Sequence, residues 1–258
     1  MKILILGDIV GRPGRTAVIN AVPRLREELG LDLVIANGEN ASGGLGLSAK
    51  SYRALSSVVD VMTTGNHIWK FGDIWPVLKN EPRLLRPANY PEAPGRGFGV
   101  YEFEGLPPIA VVNIQGRTFM PPIDCPFLEM DKIMEEVPED AVIIVDFHAE
   151  ATSEKIAMGF MLDGRITALV GTHTHIQTND ARLLPEGTAY LTDLGMCGPF
   201  NSSLGMEPDP IVKRFRTGLP ARFTVKKNTE VRLTGALLEV DDSTRKAVSI
   251  EPWLMDIE

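Results

Sequence analysis

The sequence predicts an α/β fold in which helices pack against a sheet with parallel strands. Three observations carry this. Apolar runs of strand length recur along the chain, among them "ILIL", "PIAVV" and "AVIIV". Over residues 1–67 such runs alternate with helical stretches as strand, helix, strand, helix, strand, the pattern of parallel pairing with crossover helices. Five of the runs end in polar residues, as strand ends that face a ligand do.

The elements follow in order. "KILILGD" reads as a buried strand running into the loop "IVGRPG", and a helix is expected from about Arg15 to Leu29 with Pro23 an irregularity inside it. "LDLVIANGEN" is a second strand and loop, "SAKSYRALSS" a helix capped by Ser48, and "VVDVMTTGNH" a third strand and loop. "GFGVYEFEG" and "PPIAVVNIQG" pair around "LPP"; "DKIMEEV" is a short helix and "AVIIVDFHAE" a buried strand. A helix over "TSEKIAMGFML" precedes the strand "ITALVGTHTH". "GTAYLTDLGMCGPFNSSLGMEPDP" is a strand entering a long Gly/Pro/Ser loop, a type often functional. The tail, "ARFTVKK", "VRLTGALLEVDD" and "KAVSIEPW", reads as antiparallel strands. No repeat and no shift of composition divides the chain, so residues 1–258 are expected to form a single domain.

Composition narrows the function. A chain of 258 residues, 44% apolar and 23% charged, can bury a large core. No stretch approaches the roughly 20 apolar residues of a membrane span, and "MKILILGDIV" meets Asp8 too soon for a secretory signal. The reading is a cytoplasmic protein without a membrane partner. The net charge of −8 argues against a general nucleic-acid binder but not against a small anionic substrate, because a bound metal supplies local positive charge. Cys125 and Cys197 have no CxxC spacing, so they read as buried or incidental thiols rather than a disulfide or thiolate zinc site.

The polar residues that follow the apolar runs are Asp8, Glu39 with Asn40, Asn66 with His67, His148, and His173 with His175. All four histidines of the chain are in this set. The carboxyl ends of parallel strands lie on one edge, so these residues can converge. Carboxylate oxygens with imidazole nitrogens suit Mn, Fe, Co, Ni or Zn rather than Mg or Ca. His173 and His175, on one face of an extended segment, would stand about 6.5 Å apart. That spacing suits one histidine on each of two ions about 3.5–4 Å apart. Other chemistries fit less well. "GDIVGRPGR" matches neither GxGxxG nor GxxxxGK[ST], and Gly11 and Gly14 read as turn glycines beside Asp8. No GxSxG occurs. Glu150 reads as a loop acid, and Phe119, Phe127 and Phe200 as packing residues.

In order, Asp8, "GEN", "GNH", His148 and "GTHTH" resemble the motifs of calcineurin-like metallophosphoesterases. The closer resemblance is to their YmdB-type branch, through "ILILGDIVGRPGR", "ANGENASGG", "TTGNHIW", "GTHTHIQTND" and "DLGMCGPFNSSLG". The resemblance implies a four-layer α/β/β/α sandwich of the metallo-dependent phosphatase type with two metals, Fe or Mn favoured and Zn an alternative. Asp8, Glu39 and His175, with Asn40 in reach, would hold one; Glu39, Asn66, His148 and His173 would hold the other, with Glu39 bridging. His67 would be the general acid. Val10 stands where related branches usually place a histidine, and Ile68 where many have an acid. The implied reaction is hydrolysis of cyclic nucleotides, 2′,3′-cyclic forms first, by a two-metal-activated hydroxide. The rivals are a slow or non-catalytic nucleotide-sensing regulator and a phosphomonoesterase. A homo-oligomer is compatible with the sequence.

Overall fold

The structure, a computed structural model, describes residues 1–257. In chain order its elements are β1 (Lys2–Leu6), β2 (Asp8–Ile9), α1 (Gly11–Leu29), β3 (Leu33–Asn37), α2 (Ala49–Leu55), β4 (Val61–Thr63), α3 (Trp75–Asn80), β5 (Phe98–Tyr101), β6 (Ile109–Gln115), α4 (Pro126–Glu136), β7 (Val142–His148), α5 (Thr152–Leu162), β8 (Ala168–Thr172), β9 (Arg182–Leu183), β10 (Ala189–Leu191), β11 (Met196–Pro199), α6 (Pro208–Thr217), β12 (Val231–Val240) and β13 (Ala247–Ile257). The strands form two mixed sheets. One runs β2-β11-β12-β1-β3-β4 with β13 also on β12; the other runs β5-β6-β7-β8-β10-β9. β1, β3 and β4 are mutually parallel, as are β6, β7, β8 and β10.

The period-two alternation of side chains explains the packing. Ile3, Ile5, Leu33 and Ile35 join Val142, Ile144, Ala168 and Val170 in one buried cluster containing both sheets. The intervening Leu4, Leu6, Val34 and Ala36 pack with Val18, Val22 and Leu25 of α1 and with Tyr52 and Leu55 of α2. On the second sheet, Ile143, Val145 and Phe147 pack with Met130 and Ile133 of α4 and Met158 and Leu162 of α5. Strands covered on both faces read as unbroken apolar runs, which is why "ILIL" and "AVIIV" show no alternation.

Several elements differ from expectation. α1 starts at Gly11, not Arg15, because Pro13 in its first turn lacks only an N–H that would have no helical partner. Pro23 lies inside the helix without ending it. Ser48 caps α2, its hydroxyl accepting from the Ser51 N–H at 3.3 Å. β8 stops at Thr172, so His173 and His175 lie beyond the strand. "ARFTVKK" forms only a bridge from Val225 to Met206. α3 and α6 were not expected; α6 is amphipathic, with Ile211 and Phe215 one turn apart, but none of its residues is buried. Phe127 packs on the core as expected, but Phe119 is 90% exposed and Phe200 is half exposed beneath the Arg232 guanidinium. Cys125 and Cys197 are free, and burial pushes the Cys197 thiol up to about 12. Among the described residues no helix is long and apolar enough to cross a membrane.

Candidate metal centre

The strand register brings the polar ends together. Thr172 at the end of β8 pairs with His148 at the end of β7, and Asn37 at the end of β3 pairs with Thr63 at the end of β4. Asp8 is held by its N–H on the Gly195 carbonyl at 3.0 Å. After β3 the Glu39 N–H donates to the Asn37 Oδ1 at 3.0 Å, a turn closed by its own asparagine. After β4 the chain turns at Gly65, where an added Cβ would land on His148 Nε2 and Glu39 Oε2. Only glycine fits between those two ligand-type atoms.

Two sets of possible ligand atoms result, Glu39 with His148 and His173, and Asp8 with Glu39 and His175. Within each set the atoms lie within 4.8 Å of one another, and Glu39 is common to both. Asn66 Oδ1 stands 3.1 Å from His148 Nε2. Asn40 turns its amide nitrogen toward Glu39 (2.8 Å) and His175 (3.0 Å), and its oxygen toward His67 (3.1 Å). Val10 is buried against Gly205, whose added Cβ would meet it.

The expected extended geometry of the histidine pair is corrected. His173 has φ 99° and His175 φ 65°, left-handed conformations that cost about 1–3 kcal/mol each in a residue with a Cβ. The tight bend, not strand periodicity, sends one ring to each set. It is fixed from below: Asp8 Oδ2 accepts the His173 N–H at 3.1 Å and Asp193 Oδ2 accepts the Thr174 N–H at 3.1 Å.

Hydrogen bonds assign the ring protons. The Thr172 hydroxyl donates to Asp146 at 2.7 Å, so it accepts from His148 Nδ1 at 2.9 Å, leaving His148 Nε2 aimed at the cluster. His175 Nδ1 donates to the Leu204 carbonyl at 3.2 Å, leaving its Nε2 inward. His173 turns Nδ1 inward and places Nε2 3.2 Å from Glu150 Oε2. Glu150 is therefore more than the loop acid expected. Such outer partners fix ligand tautomers at metal sites.

The fit to cations rests on a particular atom. Asp8 Oδ1 is buried and has no hydrogen-bond partner among the described residues, a costly state for a carboxylate oxygen that a cation would relieve. Burial raises the Asp8 carboxyl to about 6 despite His175 and His148. Burial also opposes ionisation of Glu39, but His148 and His67 outweigh it and hold the carboxyl well below its ordinary range. His148 is the mirror case: burial would lower it, yet Glu39, Asp8 and Asp146 raise it to about 9. Burial and the neighbouring His148 push His173 down to about 3. The mixed oxygen and nitrogen set suits transition metals.

Residues beneath the cluster were not found from sequence. Asp146 accepts from Asn37 at 3.0 Å and from Thr63 and Thr172, tying the two sheets together. Lys155 donates to Asp193 at 2.7 Å and to the Thr172 carbonyl at 2.9 Å, both side chains fully buried. The available signals were an acid inside "VIIVDF" and a lysine on the apolar helix "EKIAMGFML".

Comparison with known proteins gives close matches along the whole chain. It is 49% identical over 259 residues to a 2′,3′-cyclic-nucleotide 2′-phosphodiesterase of Bacillus subtilis, covering 99% of this chain and 97% of that protein. A solved hypothetical protein from Thermus thermophilus superposes with TM-score 0.94 at 41% identity, covering 100% of both chains. A solved phosphatase from Mycoplasma pneumoniae superposes with TM-score 0.93 at 36% identity, covering 99% of this chain and 93% of that one. The sequence model of the YmdB-like protein family matches residues 4–253, and the chain belongs to that family.

Proposed function

We propose that this protein is a metal-dependent phosphodiesterase that hydrolyses cyclic nucleotides, 2′,3′-cyclic forms first. The observation that carries the reading is the pair of ligand sets sharing the buried Glu39, on a chain 49% identical to a 2′,3′-cyclic-nucleotide 2′-phosphodiesterase. Asp8, Glu39 and His175, with Asn40 beside them, would hold one ion; Glu39, Asn66, His148 and His173 would hold the other. Fe or Mn is favoured by the donor set, with Zn an alternative. Two such ions, when bound, supply an acidified water and positive charge for the phosphoryl oxygens.

The chain's own residues do the rest. His67 donates Nδ1–H between Glu39 Oε1 (3.0 Å) and Asn40 Oδ1 (3.1 Å). Both neighbours accept, so that nitrogen keeps its proton and Nε2 is left for the cleft. When protonated there, Nε2 gives its proton to the departing 2′ oxygen. Asp193, Asp8 and Glu150 keep the rings of His173 and His175 in place. The three apolar clusters support the four-layer α/β/β/α arrangement in one domain; of its expected span, 1–258, the last residue lies outside the described residues. A cytoplasmic location and assembly with further copies belong to the same reading.

The test is turnover of 2′,3′-cyclic AMP by purified protein with added Mn²⁺ against a chelated control. Metal-dependent formation of 3′-AMP is the expected result. Absence of turnover in protein that holds two metals per chain would overturn it, and faster release of phosphate from 3′-AMP would make it a monoesterase.

A further inference from the structure

The chain is acidic overall, yet residues 211–229, "IVKRFRTGLPARFTVKKNT", hold six Lys or Arg and no acid. Of the six, only Lys226 makes an ion pair among the described residues, with Glu207 at 3.0 Å. The segment includes most of α6, which buries nothing, and the strandless stretch after it. Two exposed aromatics interrupt the charges, Phe215 (86% exposed) and Phe223 (37%). The Arg214 guanidinium lies over the Phe223 ring, 5.3 Å from its centroid.

This segment borders two clefts. One, of about 640 Å³, contains Glu39, His67, His173 and His175 and is walled by Arg214, Phe215 and Phe223. The other, of about 860 Å³, is lined by Arg12 and Arg15 of α1 and by Arg222, Phe223 and Lys227, with no acid among its described lining residues. Phe223 lines both, and Gly43 of the second cleft adjoins Gly44 of the first. Arg15 is tethered to the Ala41 carbonyl, on the loop that also carries Glu39 and Asn40. Uncompensated cations crowd here, and burial together with neighbouring Arg12 lowers the Arg15 guanidinium.

A groove that combines cations along its length with exposed aromatic faces suits single-stranded nucleic acid, with phosphates on the cations and bases on the rings. A free mononucleotide at the metal centre would leave the second cleft unused. We infer that the basic cleft takes the phosphodiester backbone of a short RNA whose 3′-terminal 2′,3′-cyclic phosphate reaches the metal centre. This rests on the phosphodiesterase reading above and names a larger substrate for it. An RNA cut by attack of its own 2′ hydroxyl ends in the same five-membered diester as the cyclic mononucleotide. Water adds its oxygen to phosphorus, the P–O2′ bond breaks, O2′ takes a proton, and a 3′-phosphate remains. The reaction that supplies this substrate is ribonucleolytic transesterification.

The test compares 2′,3′-cyclic AMP with a five-nucleotide RNA ending in the same cyclic adenosine, on the whole metal-loaded chain. The readout is the ratio of kcat/KM for RNA to that for the mononucleotide. A ratio of about ten or more is expected at low salt, falling as salt rises with a log–log slope of about −2 for three phosphate contacts. Arg222→Glu with Lys227→Glu should remove that preference. Phe215→Ser, at a position too exposed to matter for folding, should lower the ratio about fivefold or more. Equal kcat/KM for the two substrates overturns the inference and leaves the phosphodiesterase reading intact. An RNA preference untouched by the charge reversals overturns the assignment to this cleft. Binding to phosphatidylglycerol vesicles that the RNA does not displace overturns it in favour of a lipid surface. No turnover of either substrate removes both readings together.

Discussion

His67 has one ring nitrogen committed and the other free, and that division defines its role. Its Nδ1 is spent on Glu39 and Asn40, at 3.0 and 3.1 Å, so the ring is oriented by a residue placed in both ligand sets. His67→Ala should cut kcat by about 10²–10⁴-fold, the usual contribution of a positioned general acid. Metal content measured by elemental analysis should stay at the wild-type level, because Asp8, Asn66, His148, His173 and His175 are untouched. Full activity in that variant would remove His67 from the mechanism. What orients His67 could not be read from "GNH" alone, since its partners come from "GEN", 27 and 28 residues earlier in the chain. The residue types at the strand ends were legible, because an apolar run that stops at a polar residue is a local signal. The left-handed bend at His173 and His175 was not: nothing in "THTH" marks a positive φ, which is imposed by Asp8 and Asp193 from elsewhere.

At the scale of elements, the bend after β8 rests on α5. Lys155 reaches from that helix to the Thr172 carbonyl and to Asp193, which in turn accepts the N–H groups of Thr174 (3.1 Å) and Gly195 (2.8 Å). Lys155→Met would leave the Asp193 carboxylate buried without its counter-charge, a change that costs about 3–5 kcal/mol. Urea unfolding should report that loss, and Asp193→Asn added to it should recover part of the stability by removing the stranded charge. A loss below about 1 kcal/mol would show that water or relaxation satisfies Asp193 without the lysine. The strands and the larger core helices were legible because each presents an apolar face to a sheet. α6 packs no residue against a sheet: its Ile211 and Phe215, one turn apart, stay on the surface. Its basic residues were visible but were averaged into a net charge of −8.

For the whole molecule, the two-sheet architecture converges on a buried charge cluster whose metal-free form carries a particular pH signature. His148 is raised from its ordinary 6.5 to about 9. A cation with a raised folded-state pKa contributes stability that is fully present below 6.5 and is lost as pH rises toward 9. With chelator present, stability should therefore fall by on the order of 1 kcal/mol per pH unit across that window. His173, lowered to about 3, has the opposite sign: it favours the fold above 6.5 and loses that contribution as pH falls, so it adds no slope at alkaline pH. If His148 holds a metal, as proposed, its ring would have to give up that proton. Metal affinity should then rise between pH 6.5 and 9, with close to one proton released per chain on binding near neutral pH. Calorimetric titration of Mn²⁺ in buffers of different ionisation enthalpy measures that release directly, and urea unfolding at about pH 6.5, 8 and 9 with and without Mn²⁺ measures the slope. The metal-loaded protein should lack the alkaline decline. If both forms decline alike and no proton is released, His148 is neutral before metal arrives, and the pairing with Glu39 is weaker than its burial implies.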